Sequence, residues 1–140
     1  MLKSMIKDFD DNGSIRWFGD IEHDHIPKFL QDADAFVVPM SIGPLTSSMS
    51  VLEAMSCGLP LITTNVADAD KLLQPNEGIL VPPNCVQSVV DAMRNMAENP
   101  QMTKSMGKAC RKKVEQEYSW DRQIKLTEDV YATVMGETSR

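Results

Sequence analysis

Apolar positions along this chain alternate between helical spacing and short unbroken runs. Leu2, Met5, Ile6 and Phe9 have helical spacing, and Asp10-Asp11-Asn12-Gly13 supplies the turn chemistry that stops a helix. Residues 14–18 read as a strand, and 24–32 as a short helix with Ile26, Phe29 and Leu30 on one side and Pro27 in its first turn. Residues 35–39 are continuously apolar, as a strand buried on both faces should be. A loop rich in Gly, Pro, Ser and Thr follows, up to Ser48. A helix over Met49–Ser56 is ended by Cys57-Gly58. Then come a strand over 60–64, a short helix over 67–73, a turn over 75–78 and a fourth strand over Gly78–Val81. Residues 84–99 are amphipathic, with Val86, Val89, Val90, Met93 and Met96 as one stripe. A basic-rich helix over Pro100–Glu117 precedes a last helix that Ser119 is placed to cap and that carries Trp120, Ile124, Tyr131 and Val134.

Short strands separated by helices imply parallel βαβ units with right-handed crossovers, hence an α/β fold with a Rossmann-like parallel sheet and flanking helices. Ligands of such sheets bind at the carboxyl ends of the strands. The loops after Phe18, Pro39, Thr64 and Val81 are therefore the expected site. The 140 residues show no internal repeat or low-complexity linker, so residues 1–140 read as one domain. A compact chain of 15.6 kDa would expose ~7,000 Å² of surface.

Charge narrows the partners. Fourteen basic against twenty acidic residues give −6, which argues against nucleic acid as a partner. A small anion held by backbone N–H groups remains compatible. No apolar run is long enough for a transmembrane segment or a signal peptide. Cys57, Cys85 and Cys110 are odd in number and widely spaced, which fits reduced thiols and a cytoplasmic location. The ten methionines read as core filler.

The stretch from Ala33 to Thr64 carries most chemistry. A buried strand runs into a loop of small residues, a helix start, Gly58 and a second buried strand. The N–H groups near Thr46, Ser47, Ser48 and Met49 could meet an anion, helped by the helix dipole. An ordinary Ser/Thr N-cap explains the same residues equally well. Glu53 lies inside that helix. It can serve as a bidentate acceptor for two neighbouring hydroxyls such as a ribose diol; a solvated helix face is the plainer reading.

In this order the motifs resemble the C-terminal half of the retaining GT-B glycosyltransferases of glycosyltransferase family 4. That family's pattern, "flG.v", "ADvfv.PS", "EAMacGlPvI", "nGilvpp" and "ysW", is matched along nearly the whole chain. The matching residues are Trp17-Phe18-Gly19-Asp20-Ile21, Ala33-Asp34-Ala35-Phe36-Val37-Val38-Pro39, Leu52-Glu53-Ala54-Met55-Ser56-Cys57-Gly58-Leu59-Pro60-Leu61-Ile62, Glu77-Gly78-Ile79-Leu80-Val81-Pro82-Pro83 and Tyr118-Ser119-Trp120. The resemblance implies a nucleotide-sugar partner, such as a UDP- or GDP-hexose, and hexosyl transfer with retention, using neither cofactor nor metal. Glu53 would hold the donor's ribose, and the backbone around Thr46, Ser47 and Ser48 would meet its pyrophosphate.

Two departures qualify this. The family places a first glutamate eight residues before the second, against the transferred sugar; here that position is Leu45, and no acid occurs between Asp34 and Glu53. Losing charge-assisted hydrogen bonds of ~1.5–3 kcal/mol would cost roughly tenfold to a hundredfold in affinity. The segment from Pro39 to Glu53 is also about two residues longer than usual. The second departure is length. The acceptor half and the first two strands of the donor half are expected to be missing, making this a partial GT-B C-terminal domain with no catalytic residue assigned. Residues 14–18 and 35–39 would then pair directly, or a partner chain or second copy would complete the sheet.

Three smaller signals have plain readings. Asp8–Gly13 opens like a calcium loop, but Gly19 stands where its bidentate glutamate belongs; it reads as a helix-ending turn. His23-Asp24-His25 lacks a third metal ligand nearby and reads as a loop before a helix. Lys104, Lys108, Arg111, Lys112 and Lys113 read as a solvated helix face, with peripheral contact to an anionic membrane as the sharper alternative. The donor-binding part of a glycosyltransferase, not competent alone, is the best overall reading. A non-catalytic GT-B-derived binding or assembly module, or a gene fragment, is the alternative.

Overall fold

The computed structural model describes residues 12–41, 49–66 and 69–136. The expected helix over Leu2–Phe9, most of the Asp8–Gly13 turn, and the loop residues Leu45, Thr46, Ser47 and Ser48 lie outside them.

Among the described residues, three strands form one parallel sheet in the order β1-β2-β3: β1 Phe36–Val38, β2 Leu61–Thr64 and β3 Gly78–Val81. Phe36 pairs with Leu61 and Leu61 with Gly78, so the register runs straight across. The helices are α1 Ile26–Gln31, preceded by a 3-10 turn at His23–His25, α2 Met49–Ser56, α3 Ala69–Leu72, α4 Val86–Glu98, α5 Pro100–Glu117 and α6 Trp120–Val134.

The expected strand at 14–18 is not formed. That segment carries no sheet pairing among the described residues, and Trp17 and Phe18 are about half exposed. A strand holds its shape through a neighbour's hydrogen bonds. Here the Phe18 ring instead meets Phe29 of α1 edge-on, centroids 4.8 Å apart.

Alternation of side chains across the sheet splits the core in two. On one face Val51, Ala54 and Met55 of α2 pack with Leu61, Ala69, Leu72 and Cys110. On the other, Ala92 and Met96 of α4 cover Ile62 and Val81. α2 ends at Gly58, whose φ of +79° places it in the left-handed region that glycine tolerates. There Gly58 N–H donates to Met55 O and Leu59 N–H to Ala54 O, both at 3.0 Å, the double bond of a Schellman stop. α5 then crosses so close that a Cβ on Gly107 would stand 2.0 Å from Gly58 O.

The methionine expectation holds for Met55 and Met96 but not for Met49 or Met93, which are at least half exposed. The α4 stripe is likewise only partly covered: Val86, Val90 and Met93 are exposed, while Ala92 and Met96 of the same helix are buried against Ile62 of β2 and Val81 of β3. α6 buries no residue, and Ser119 stands at its N-cap without a side-chain hydrogen bond.

Candidate functional site

The sheet's carboxyl end is stitched together by two threonines. Thr63 Oγ1 donates to Val38 O at 2.8 Å. Thr64 Oγ1 accepts the Met40 N–H at 2.9 Å and also contacts Met40 O. Asn65 N–H donates to Val81 O at 2.8 Å. These bonds fix the chain leaving β1 against the ends of β2 and β3. A cavity of about 490 Å³ opens there, lined by Pro39, Met40, Ser41, Thr64, Asn84 and Cys85 among others. It occupies the place the strand topology predicts. The threonines were missed in the sequence, where they read only as strand residues; their position at the strand's last two places was the available signal.

The loop after β3 turns at Asn84, a non-glycine residue with φ of +56°. Cys85 follows at the N-cap of α4. Ser88 Oγ lies 3.1 Å from Cys85 Sγ, and this hydroxyl holds the thiol's pKa below its ordinary value.

Glu53 lies on α2, the helix that follows β1, with its side chain 28% exposed. His23 Nδ1 stands 3.9 Å from Glu53 Oε1. The carboxylate is thus neither buried away nor swung fully into solvent, and neither residue lines the 490 Å³ cavity. Thr46, Ser47, Ser48 and Leu45 fall outside the described residues. His23, Asp24 and His25 form the 3-10 turn before α1, and no group of three or more metal-ligating side chains occurs among the described residues.

A larger cavity, about 1210 Å³, lies at the opposite end, lined by Ala33, Asp34 and Ala35 before β1 and by Gly58, Leu59 and Pro60 before β2. Lys104, Lys108, Arg111 and Lys112 of α5 also line it. Lys113 does not belong to that solvated row: it is buried and paired with Glu77 at 3.0 Å.

Residues 1–113 match the family model described as glycosyl transferases group 1. The chain belongs to the glycosyl transferases group 1 family. Its fold is of the GT-B type. Over 124 residues it is 27% identical to a glycogen synthase of Mycobacterium tuberculosis, covering 87% of this chain and 30% of that protein. Over 108 residues it is 29% identical to a UDP-Gal:alpha-D-GlcNAc-diphosphoundecaprenol alpha-1,3-galactosyltransferase of Escherichia coli, covering 76% of this chain and 27% of that one. The sucrose-phosphate synthase of Thermosynechococcus elongatus superposes with a TM-score of 0.86 at 22% identity, over 98% of this chain and 34% of its own. An Anabaena protein solved in complex with UDP-glucose superposes with a TM-score of 0.76 at 18% identity, over 96% of this chain and 36% of its own. This glycosyl transferases group 1 chain spans between 16% and 32% of the length of these curated relatives. Among the described residues, no helix is long and apolar enough to cross a membrane.

Proposed function

We propose that the chain is the donor-binding, C-terminal part of a retaining family 4 glycosyltransferase, and that it holds a nucleotide-sugar whose hexose passes to an acceptor. The observation that carries this reading is Glu53, a partly exposed carboxylate on the helix that follows the first strand of a parallel sheet. Its two oxygens match two neighbouring hydroxyls of a ribose. The UDP and UDP-glucose held by structural neighbours support a nucleotide-sugar as the ligand.

In this reading the backbone at Thr46, Ser47 and Ser48 meets the diphosphate, where N–H groups at a helix start favour negative charge. Leu45 stands where a sugar-binding acid would be, so recognition of the hexose is weak. The chain positions the donor and stabilises the departing diphosphate, and the transfer needs neither a metal nor a cofactor. The reaction is cytoplasmic. It also needs an acceptor cleft formed with further polypeptide, either of a longer chain or of a partner. The outer side of β1, unpaired among the described residues, supports that requirement.

Calorimetric titration of the wild type and Glu53→Gln with UDP and UDP-glucose, then with GDP and GDP-mannose, tests the reading. One nucleotide series should bind the wild type, and the variant should lose about tenfold or more for both members of that series. Equal affinity in the variant removes Glu53 from the site.

A further inference from the structure

We propose that His23 is a positioning residue for Glu53, competing with the bound nucleoside for one carboxylate oxygen whenever its imidazole is protonated. This rests on the reading of Glu53 as the ribose acceptor. The geometry is direct: His23 Nδ1, on the turn before α1, lies 3.9 Å from Glu53 Oε1 on α2. A ribose diol needs both oxygens. A neutral imidazole leaves Oε1 available; an imidazolium attracts it. Histidine is the side chain whose charge ordinarily changes between about pH 5 and about pH 8.

The surroundings favour a response local to this pair. On its own turn His23 has Glu22, Asp24 and His25 for neighbours, and His25 Nδ1 is engaged with Glu22 at 3.8 Å. From α2 it faces Glu53. One turn beyond Glu53, the Cys57 thiol feels both Glu53 and Arg111. Arg111 itself is held by Glu115 at 2.6 Å and by Ser56 O. The 3-10 turn leads directly into α1, so the ring is carried on an ordered segment rather than a free end. His23 is 80% exposed, which keeps the pair in a screened regime and limits the effect to about twofold to fivefold in affinity.

The test titrates UDP-glucose and GDP-mannose into wild type, His23→Gln, His23→Asn, His25→Gln and Glu53→Gln at about pH 8 and about pH 5.5, the span of ordinary histidine ionisation. Nucleotide-sugars are used because a free nucleotide's terminal phosphate itself titrates near pH ~6. Wild type and His25→Gln should weaken by about twofold to fivefold on acidification. Both His23 variants should match wild type at the higher pH and lose that dependence, with unchanged thermal midpoints. If the His23 variants keep the wild-type pH profile while Glu53→Gln binds poorly, the inference falls and the Glu53 reading stands. If Glu53→Gln binds as well as wild type, or neither nucleotide-sugar binds, the reading falls and the inference with it.

Discussion

Lys113 Nζ lies 3.0 Å from Glu77 Oε2, and both side chains are more than nine-tenths buried. Lys113 also donates to Leu72 O, and Glu77 Oε2 accepts the Gln74 N–H at 2.8 Å. The pair therefore ties α5 to the turn that launches β3. Removing one partner strands the other's charge away from water, at a cost of about 3–5 kcal/mol. Lys113→Met alone should destabilise by that order in urea unfolding, and Lys113→Met with Glu77→Gln should recover most of the loss. Equal single and double variants would show that the two charges are not coupled.

The contact between α5 and the end of α2 makes a second expectation. Gly107→Ala would drive a methyl to 2.0 Å from the Gly58 carbonyl, a backbone atom that cannot swing aside. A loss of about 1–3 kcal/mol or more is expected, read as a lower thermal midpoint. An unchanged midpoint would mean that the helix and loop are not in this contact.

The three thiols should separate by reactivity. Burial, then the Glu77 charge, pushes Cys110 from the ordinary 9.0 up to about 12, and its Sγ donates to Glu77 O at 2.9 Å. Burial raises Cys57 as well, while the Ser88 hydroxyl lowers Cys85. Alkylation of the native protein followed by mass spectrometry should modify Cys85 first and Cys110 last. Cys110 stays protonated in the folded state while the unfolded thiol ionises, so its contribution is present below about pH 9 and is lost as pH rises towards 12. Cys110→Ala should flatten that alkaline decline.

Much of this was legible in the sequence, because local pattern and tertiary demand agree there. The apolar run at Phe36–Val38 and the segment Leu61–Thr64, three of whose four residues are β-branched, have half-buried and buried places in a parallel sheet. Cys57-Gly58 stops α2 as turn chemistry dictates. Residues 14–18 failed because an alternating apolar pattern says nothing about whether a neighbouring strand exists to pair with. Lys113 was misread because a basic run on a helix looks solvated until a buried acid 36 residues away reaches it. Glu53 was legible as a helix residue and through resemblance, whereas its His23 neighbour depends on tertiary placement.

Leucine offers no acceptor to sugar hydroxyls, so the proposed placing of Leu45 beside the donor's hexose makes an expectation. Leu45→Glu should strengthen nucleotide-sugar binding by about tenfold and leave free nucleotide binding unchanged, as measured by calorimetry. Equal gains for both ligands would detach Leu45 from sugar recognition.

The most direct test is thermal unfolding of the purified chain with UDP, GDP, ADP and their matching sugars at millimolar concentration. A ligand at about 100 times its dissociation constant adds ~2.7 kcal/mol, a rise of several degrees for a chain of this size. The donor-site account predicts a selective rise with one nucleotide series, absent in Glu53→Gln. A cooperative transition that no nucleotide moves would contradict it.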